Sequence, residues 1–293
     1  MDFKDVLIWP MPSDINSRKD VSLTRKFYFK RQNKVLTTVP IIAANMHNIG
    51  TEKVARTLVK HNMLTALVKG NYHPWDLDDR VFATYGLEHI VGKPSLICLD
   101  VANGYMSSFV NKVKETRKKF PLAIIMAGNI ATYLGMEDLA DAGADIIKVG
   151  IGSGSACTTR IKTGVGVPQL EALRNCVPYK QISRVLICSD GGHKTPGDVA
   201  KAFVAGADFV MLGGMFAGTV ETGNEFYGNA SKKAQGEIAS YRAAEGRSLK
   251  IEKKEGLDDV VLDLLGGLRS ACSYVGAHNL EELKSKGTLI EIK

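Results

Sequence analysis

The sequence has few cysteines and lacks long apolar runs. Its 293 residues include five cysteines, an odd number with no paired Cys-x-x-Cys spacing. Such a set argues for reduced thiols in a cytosolic setting rather than a disulfide framework. No segment approaches the length of a membrane span, and the acidic start MDFKDVLIWP lacks the apolar core of a signal peptide. We therefore expect a cytoplasmic protein.

A concentrated basic segment is also absent. The formal net charge is +7, but the lysines and arginines are scattered and no basic block is interleaved with aromatic residues. This distribution argues against a nucleic-acid surface, and a small anionic ligand such as a nucleotide explains the charge equally well. The length is routine for one α/β barrel domain. We expect a single domain over residues 1–293, although two smaller domains would also fit.

Eight short apolar segments alternate with amphipathic helical segments along most of the chain. The segments are VPIIAANM (39–46), LTALVK (64–69), VFATYG (81–86), SLICLD (95–100), LAIIMAGN (122–129), IIKVG (146–150), RVLICSDGG (184–192) and DFVMLGGM (208–215). The alternation predicts a parallel (β/α)8 TIM barrel, with residues 1–38 as an N-terminal cap segment. An open doubly wound sheet is disfavoured because the glycine-rich turn lies mid-chain and no later acidic residue completes a dinucleotide fingerprint. The connections on both sides of the third segment leave little or no room for full helices.

A cysteine follows the sixth predicted strand on a glycine-rich loop. In the sequence GIGSGSACTTR (150–160), Cys157 stands beside the hydroxyls of Thr158 and Thr159 and the cation of Arg160. A thiol at the C-terminal end of a strand is placed to attack an electrophilic carbon. A free cysteine is more often a small buried hydrophobe, however, and the spacing alone favours that interpretation.

The last two strand ends suggest a phosphate site. Asp190, Gly191 and Gly192 follow the seventh segment, and Gly213 and Gly214 follow the eighth. In a TIM barrel these are the positions where backbone amides often hold a phosphoryl group. Glycines also occur in ordinary tight turns, so the pattern by itself leaves both interpretations open.

The run GIGSGSACTTR, followed by GVGVPQ (164–169), resembles the catalytic loop of the IMP dehydrogenase and GMP reductase family. The reductase branch is the more similar one, because the second and third strands are too close in the sequence for the regulatory insertion of the dehydrogenases. No equivalent of the dehydrogenases' mobile flap is visible between Gly214 and Tyr241. The segments that look like the reductase versions are CLDVANGY (98–105), IKTGVG (161–166), YRAAEG (241–246) and LLGGLRSACSYVGA (264–277).

This resemblance implies NADPH-dependent reductive deamination of GMP to IMP and ammonia. Cys157 would bond covalently to C2 of the purine, ammonia would leave, and a hydride from NADPH would arrive at the same carbon. Thr159 and Glu245 would handle the protons, with Lys69 as a further candidate near the leaving group or the cofactor. Glu245 could otherwise be a surface carboxylate paired with Arg242 or Arg247.

The resemblance also implies which residues hold the two ligands. Asp190 would bind the ribose hydroxyls and the four glycines after the last two strands would bind the phosphate. The residues around the base would be Gly228, Asn229, Ala230, Arg242, Ala243, Ala244, Glu245 and Gly246. The cofactor residues would be Lys69, Asp100, Val101, Ala102, Ile151 and Gly152 on the nicotinamide side, with Ser17, Arg18, Ser270, Ala271, Cys272, Ser273 and Tyr274 holding the adenosine half from a neighbouring subunit.

A potassium ion and a homotetramer are implied by the same resemblance. The carbonyls of Gly152, Gly154 and Cys157, with Arg160, would form the potassium site, since oxygen ligands suit a hard cation. The sequence departs from the family pattern at His47, Ser153, Ala156, Asn229 and Ala230, and none of these changes removes the nucleophile. We assign His47 no catalytic role. The other four cysteines, Cys98, Cys176, Cys188 and Cys272, are predicted to be packing residues, and Cys272 could also line the cofactor site.

Two other functions stay open on the sequence. The first is oxidation of IMP with NAD, which runs through a similar cysteine adduct in the dehydrogenase branch. The second is a nucleotide-binding paralogue that keeps the pocket but has lost turnover through its shortened connections.

Overall fold

The computed structural model describes residues 1–70 and 79–292. The strands of these residues are β1 (Val6–Ile8), β2 (Arg25–Phe29), β3 (Lys34–Thr38), β4 (Ile41–Ala43), β5 (Leu64–Ala66), β6 (Val81–Tyr85), β7 (Leu96–Asp100), β8 (Ile124–Ile130), β9 (Ile146–Val149), β10 (Leu186–Asp190), β11 (Phe209–Leu212), β12 (Glu225–Tyr227), β13 (Ser248–Lys250) and β14 (Leu289–Glu291). The helices are α1 (Glu52–Lys60), α2 (Ser107–Lys119), α3 (Tyr133–Asp141), α4 (Thr159–Thr163), α5 (Gln169–Ser183), α6 (Pro196–Val204), α7 (Lys232–Gln235), α8 (Leu257–Val275) and α9 (Leu280–Lys286). Short 3-10 helices occupy Phe3–Asp5 and Arg18–Asp20.

Strands β4 to β11 form a closed barrel in chain order. Every neighbouring pair is parallel, and β11 pairs back with β4, where Met211 lies opposite Ile42. Each of the eight apolar segments of the sequence supplies one barrel strand, so the predicted (β/α)8 TIM barrel is confirmed. The open doubly wound sheet is excluded because the closing pair leaves the barrel without an edge. Side chains of the strands fill a continuous buried core. None of the helices in the described residues has the length and hydrophobicity of a membrane-spanning segment.

Threonine caps begin several of the helices that surround the barrel. At the start of α1 the hydroxyl of Thr51 accepts the Val54 N–H at 3.3 Å. Thr132 caps α3 in the same way, and Thr195 begins α6 in a reciprocal capping box with Asp198. Such caps satisfy backbone N–H groups that have no partner within the helix. Each cap thus fixes the residue at which its helix begins.

The connection from β6 to β7 contains no helix, as its length predicted. It is held instead by side chains, because the Tyr85 hydroxyl donates to the Val91 carbonyl at 3.1 Å and Glu88 accepts the Gly86 N–H at 2.6 Å. Ile90 is buried and packs into the main core. Part of the connection from β5 to β6, residues 71–78, lies outside the described residues.

The β2–β3 hairpin lies across the N-terminal ends of the barrel strands. Its Phe27 ring stacks on Phe209 at the start of β11, with ring centroids 4.4 Å apart. Gln32, in the turn of the hairpin, donates to the Ala123 carbonyl at 3.0 Å and to the Asp145 carboxylate at 2.9 Å. One end of the barrel is therefore covered, and the opposite end carries the strand-end loops. The assignment of residues 1–293 to one domain stays a prediction.

A buried carboxylate stabilises the covered end of the barrel. The side chain of Asp208 is only 2% exposed, and it pairs with Lys180, with Lys284 at 3.3 Å and with Arg25 at 3.7 Å. It also accepts the Ile187 N–H at 2.9 Å. Burial by itself would raise the pKa of Asp208, but the two lysines more than offset this and lower it.

Replacing Asp208 with asparagine is expected to lower the free energy of unfolding at neutral pH by about 3–5 kcal/mol, because a buried lysine loses its counterion. The lowered folded-state pKa means that the carboxylate stabilises the fold above the unfolded-state value of about 3.9. This contribution is lost as the pH falls through the folded-state pKa. Urea denaturation at several pH values should therefore show the two proteins converging below about pH 4. The exposed Asp263 on α8 provides the control, and a loss no larger than that of Asp263→Asn would contradict the prediction.

Candidate active site

A cavity of about 280 Å³ opens among the loops at the C-terminal ends of the barrel strands. This strand-end cavity is near the lower end of the usual size of ligand pockets, which is about 300 Å³. Its predicted residues come from loops that are far apart in the sequence and meet only in the barrel. They are Asp100, Val101, Ala102, Ile151, Gly152, Gly154, Cys157, Thr159, Asp190, Gly191, Gly192, Gly213, Gly214, Gly228, Asn229, Ala230, Arg242, Ala243 and Glu245.

The loop that follows β9 carries Cys157 into the cavity. It begins at Gly150, whose backbone passes so close to β10 that an added Cβ would lie 2.0 Å from the Asp190 carbonyl oxygen. Only glycine can take this position. Farther along, the Cys157 N–H donates to the Gly154 carbonyl at 2.9 Å. Gly150 thus allows the start of the loop to lie directly against the end of β10.

Cys157 is the accessible cysteine of the five. The other four are buried, as predicted for packing residues. Burial raises the pKa of Cys98, Cys176 and Cys272 to about 12 and that of Cys188 well above its usual value. A nucleophile must reach the thiolate form and touch its substrate, so these four thiols are unsuited to that role.

Cys157, Thr159 and Glu245 form a hydrogen-bonded chain. The Cys157 thiol lies 3.2 Å from Thr159 Oγ1, and this hydroxyl donates to Glu245 Oε2 at 2.7 Å. Among the described residues Glu245 forms no salt bridge, and the Arg247 guanidinium instead donates to the Ser155 carbonyl at 3.0 Å. The interpretation of Glu245 as a surface carboxylate paired with an arginine is therefore not supported. The arrangement can move a proton between the sulfur and the carboxylate through one hydroxyl.

Backbone hydrogen bonds bring Glu245 to the cysteine loop. The Thr158 N–H donates to the Glu245 carbonyl at 2.8 Å, and the Arg247 N–H donates to the Ala156 carbonyl at 2.9 Å. Cys157 and Gly246 also form an isolated antiparallel bridge. The two segments are thereby fixed to each other like neighbouring strands, which sets the position of the carboxylate relative to the thiol.

The antiparallel β12–β13 pair extends this arrangement over the cavity. At its end the Gly228 N–H donates to the Arg247 carbonyl at 3.2 Å, and the Asn229 side chain donates to the Asn45 carbonyl at 3.0 Å. Asn229 Oδ1 is buried, lines the cavity and has no hydrogen-bond partner within the described part of the chain. Buried polar atoms require partners, so this oxygen is a candidate for a ligand contact.

Lys148 on β9 forms the charged floor of the cavity and was missed by the sequence analysis. Its Nζ lies 2.5 Å from Asp100 Oδ1 and 3.2 Å from Asp190 Oδ2, and its side chain is only 1% exposed. Burial would lower the pKa of Lys148, but the carboxylates of Asp100 and Asp190 raise it well above 10.5. A lysine inside the apolar run IIKV was the available signal, since a buried charge needs a partner.

The two carboxylates have further partners. The Lys69 ammonium donates to the Asp100 carbonyl at 2.6 Å and lies 3.7 Å from Asp100 Oδ2. Burial would raise the pKa of Asp100, but Lys148 and Lys69 together lower it. Asn129, a strand-end residue also missed, donates to Asp190 Oδ2 at 2.9 Å. Lys69 does not line the cavity itself, but it contacts Asp100, which does.

The predicted phosphate glycines lie beneath the cysteine loop. An added Cβ at Gly191, where φ is +90°, would lie 2.7 Å from Ser153 Oγ, and one at Gly214 would lie 2.9 Å from Ser155 Oγ. Gly191 needs the small residue, because its φ is positive and an added Cβ would also lie 3.0 Å from the Gly154 backbone nitrogen, whereas at Gly214 the contact is with a side-chain hydroxyl that can turn away. Nearby His193 also lines the cavity, and burial lowers its pKa to about 4, so the imidazole is neutral at pH 7.

Some predicted residues lie away from the cavity. Ala244 and Gly246 flank lining residues, whereas the Arg160 side chain packs on Gly152 and Gly166 and donates to the Val167 carbonyl. The residues predicted for the adenosine half, Ser17, Arg18 and Ser270–Tyr274, are on the 3-10 helix Arg18–Asp20 with its cap and at the end of α8, outside the barrel. The Met11 N–H donates to the Tyr274 carbonyl at 2.9 Å. Tyr274 is 64% exposed and Cys272 is fully buried.

Known proteins with similar sequences support one family. Residues 90–293 match the family model described as the IMP dehydrogenase / GMP reductase domain. The chain is 46% identical to GMP reductase 2 of Mus musculus and 44% identical to GMP reductase 1 of Homo sapiens, and the alignments cover 100% of this chain and 94% and 95% of those proteins. It is 43% identical to GMP reductase of Shigella boydii over 99% of the chain and 94% of that protein. The mouse alignment spans 327 positions against 293 residues, so the relative carries segments that this chain lacks, in agreement with the short connections. The chain therefore belongs to the IMP dehydrogenase / GMP reductase family.

Proposed function

We propose that this protein is an enzyme that reduces GMP to IMP and ammonia with NADPH. The observation that carries the proposal is the chain of hydrogen bonds from Cys157 through Thr159 to Glu245 at the end of a TIM barrel. The relatives named GMP reductase, similar over the whole chain, support this reaction over oxidation of IMP and over a role limited to binding.

The cysteine and its two partners would carry out the substitution at C2. Cys157 Sγ attacks C2 of GMP, and its proton passes through the Thr159 hydroxyl to Glu245. The C2 amino group takes up a proton from the same pair and leaves as ammonia, so that a thioimidate joins C2 to sulfur. When bound, NADPH supplies the hydride that reduces C2 as the bond to sulfur breaks and IMP is released. Covalent catalysis thus divides one difficult substitution into two easier steps.

The remaining cavity residues would bind and orient the substrate. Asp190 receives two donors at Oδ2, from Lys148 and Asn129, and within the described residues Oδ1 has no donor, which suits the hydroxyls of a ribose. The Gly191, Gly192, Gly213 and Gly214 backbones would hold the phosphate. The base would lie among Gly228, Asn229 and Ala230 and the segment Arg242–Gly246, where the unpaired amide oxygen of Asn229 can accept from a ring N–H or amino group.

The nicotinamide half of NADPH would lie beside Asp100, Val101, Ala102, Ile151 and Gly152, which line the same cavity as Cys157. Lys69 would act through Asp100, which it holds by a hydrogen bond to the carbonyl. The adenosine half would contact Ser17, Arg18, Ser270, Ala271, Ser273 and Tyr274 of a neighbouring subunit in a homotetramer, whereas Cys272 is fully buried in its own chain. The exposure of the Tyr274 ring and the location of these residues outside their own chain's cavity support such a shared site.

A potassium ion would be held by the carbonyl oxygens of Gly152, Gly154 and Cys157, next to Arg160. The donor chemistry fits, because carbonyl oxygens suit a hard monovalent cation and the described residues contain no cluster of three or more His, Cys, Asp or Glu side chains that would favour a transition metal. The reduced state of five unpaired cysteines supports a cytoplasmic location.

Mixing the purified protein with GMP and NADPH is expected to remove the absorbance of the reduced nicotinamide and to form IMP and ammonia in equal amounts. The same protein with IMP and NAD serves as the comparison. Reduction of NAD in that mixture, without oxidation of NADPH by GMP, would favour the dehydrogenase reaction. Calorimetric binding of GMP without any turnover would instead identify a binding protein.

A further inference from the structure

Lys148 stands between two carboxylates that the proposed function gives to different ligands. Asp190, at the end of β10, belongs to the substrate side, and Asp100, at the end of β7, belongs to the cofactor side. Lys148 Nζ lies 3.2 Å from Asp190 Oδ2 and 2.5 Å from Asp100 Oδ1. One ammonium group therefore sets the position of a carboxylate on each side of the cavity.

The two carboxylates beside Lys148 have different numbers of cationic partners. Among the described residues Lys148 is the one cation paired with Asp190, whereas Asp100 is also paired with Lys69. Asn129 is the remaining side-chain donor to Asp190. Loss of the Lys148 charge would leave Asp190 without a cation, and the two carboxylates would face each other without an intervening positive charge. Two carboxylates that share one buried site repel each other strongly.

Two simpler roles for Lys148 do not explain its position. It cannot act as a proton acceptor at neutral pH, because its two carboxylate partners keep the ammonium charged. It is also a poor choice for stability alone, since branched apolar residues usually fill the barrel interior and a buried ion pair is often no better than an apolar packing group. Its value lies in the placement of the two carboxylates that it joins.

We propose that Lys148 is a positioning residue that holds Asp190 for the substrate and Asp100 for the cofactor at the same time. The inference rests on the proposed function, and it deepens it by assigning the position of both ligand-binding carboxylates to one buried side chain. Replacing Lys148 should then weaken the binding of GMP and of NADPH together, whereas Asp190→Asn should affect mainly GMP and Asp100→Asn mainly NADPH.

The test is the variant Lys148→Met, which keeps the length of the side chain and removes its charge. We expect the Kd of GMP, measured by calorimetry without cofactor, to rise about tenfold or more, because a charge-assisted contact is lost. The KM of NADPH should rise by a similar factor. The variant should add little to the effect of Asp190→Asn on the Kd of GMP, because both changes remove the same interaction.

The matched control is Lys180→Met, which removes another largely buried lysine, paired with Asp208 at the covered end of the barrel. It should lower the melting temperature and leave the Kd of GMP and the KM of NADPH unchanged. If Lys148→Met does not fold, the double variant Lys148→Met with Asp100→Asn removes one positive and one negative charge and so leaves the net charge of the site unchanged. Its Kd for GMP should still exceed that of Asp100→Asn alone by about tenfold.

Three results would overturn the inference. One is that Lys148→Met binds GMP with the same Kd as the unaltered protein, or that the double variant binds it with the same Kd as Asp100→Asn. Another is full additivity of Lys148→Met with Asp190→Asn, which would indicate general loosening of the fold. The third is that the unaltered protein binds no GMP, in which case the proposed function fails together with the inference. If the unaltered protein binds and reduces GMP, a Lys148→Met variant with an unchanged Kd for GMP refutes only the role of Lys148.

Discussion

Replacing Cys157 with alanine is expected to abolish the reduction of GMP, with kcat falling by at least about 10⁴-fold. The reason is that no other thiol can substitute, since the remaining four cysteines are buried and have raised pKa values. The Kd of GMP should change by less than about tenfold, because the phosphate, ribose and base contacts do not involve the sulfur. Steady-state oxidation of NADPH and calorimetry with GMP measure the two quantities.

Cys176→Ala serves as the control for loss of a thiol. Cys176 is fully buried on α5, so its replacement should cost some stability and leave kcat within a few-fold of that of the original protein. Mass spectrometry of the protein with GMP should show an adduct on Cys157 that the Cys157→Ala variant lacks. Turnover that survives Cys157→Ala would refute the covalent mechanism.

Replacing Glu245 with glutamine is expected to lower kcat by about 10²–10⁴-fold, the usual contribution of a positioned proton acceptor or donor. The amide can still accept the hydrogen bond from Thr159, which the carboxylate accepts at 2.7 Å, but it cannot take up a proton. The position of the backbone should be preserved, because Glu245 is held through its own carbonyl by the Thr158 N–H. The Kd of GMP should therefore change much less than kcat.

The exposed Glu237, in the segment just before, provides the matched control. Glu237→Gln should leave kcat unchanged, because its side chain is outside the cavity. Thr159→Val, which interrupts the chain between sulfur and carboxylate, should resemble Glu245→Gln, and combining the two changes should add little. A Glu245→Gln variant with normal kcat would show that protons move by another route.

Much of the fold could be predicted from local patterns. Each apolar segment is short and rich in branched residues, most are followed by a helical segment, and each became a barrel strand. A cap such as Thr51 at the start of α1 is a feature of this local kind, because capping depends only on residues a few positions apart. The helix-free connection after β6 was predictable from its length alone. Such features survive in the structure because they depend on neighbours in the chain.

The candidate site was only partly predictable. The resemblance of the cysteine loop suggested Cys157, Thr159 and Glu245, and the structure brings all three into hydrogen-bonding contact. Lys148 and Asn129 were missed, because their partners lie far away in the sequence. Asp100 and Asp190 approach Lys148 only when β7, β9 and β10 meet in the barrel.

The sequence by itself determined the alternation of strands and helices, the glycines that allow close loop approach and the one family to which the chain belongs. Only the tertiary structure decided which cysteine is accessible, that Glu245 meets the thiol through Thr159, and that one buried lysine joins two carboxylates. The physical reason is distance along the chain. Helix caps, turns and the periodic spacing of apolar residues depend on residues close together in the sequence. Hydrogen bonds and ion pairs between loops instead require the closed barrel to bring their atoms together.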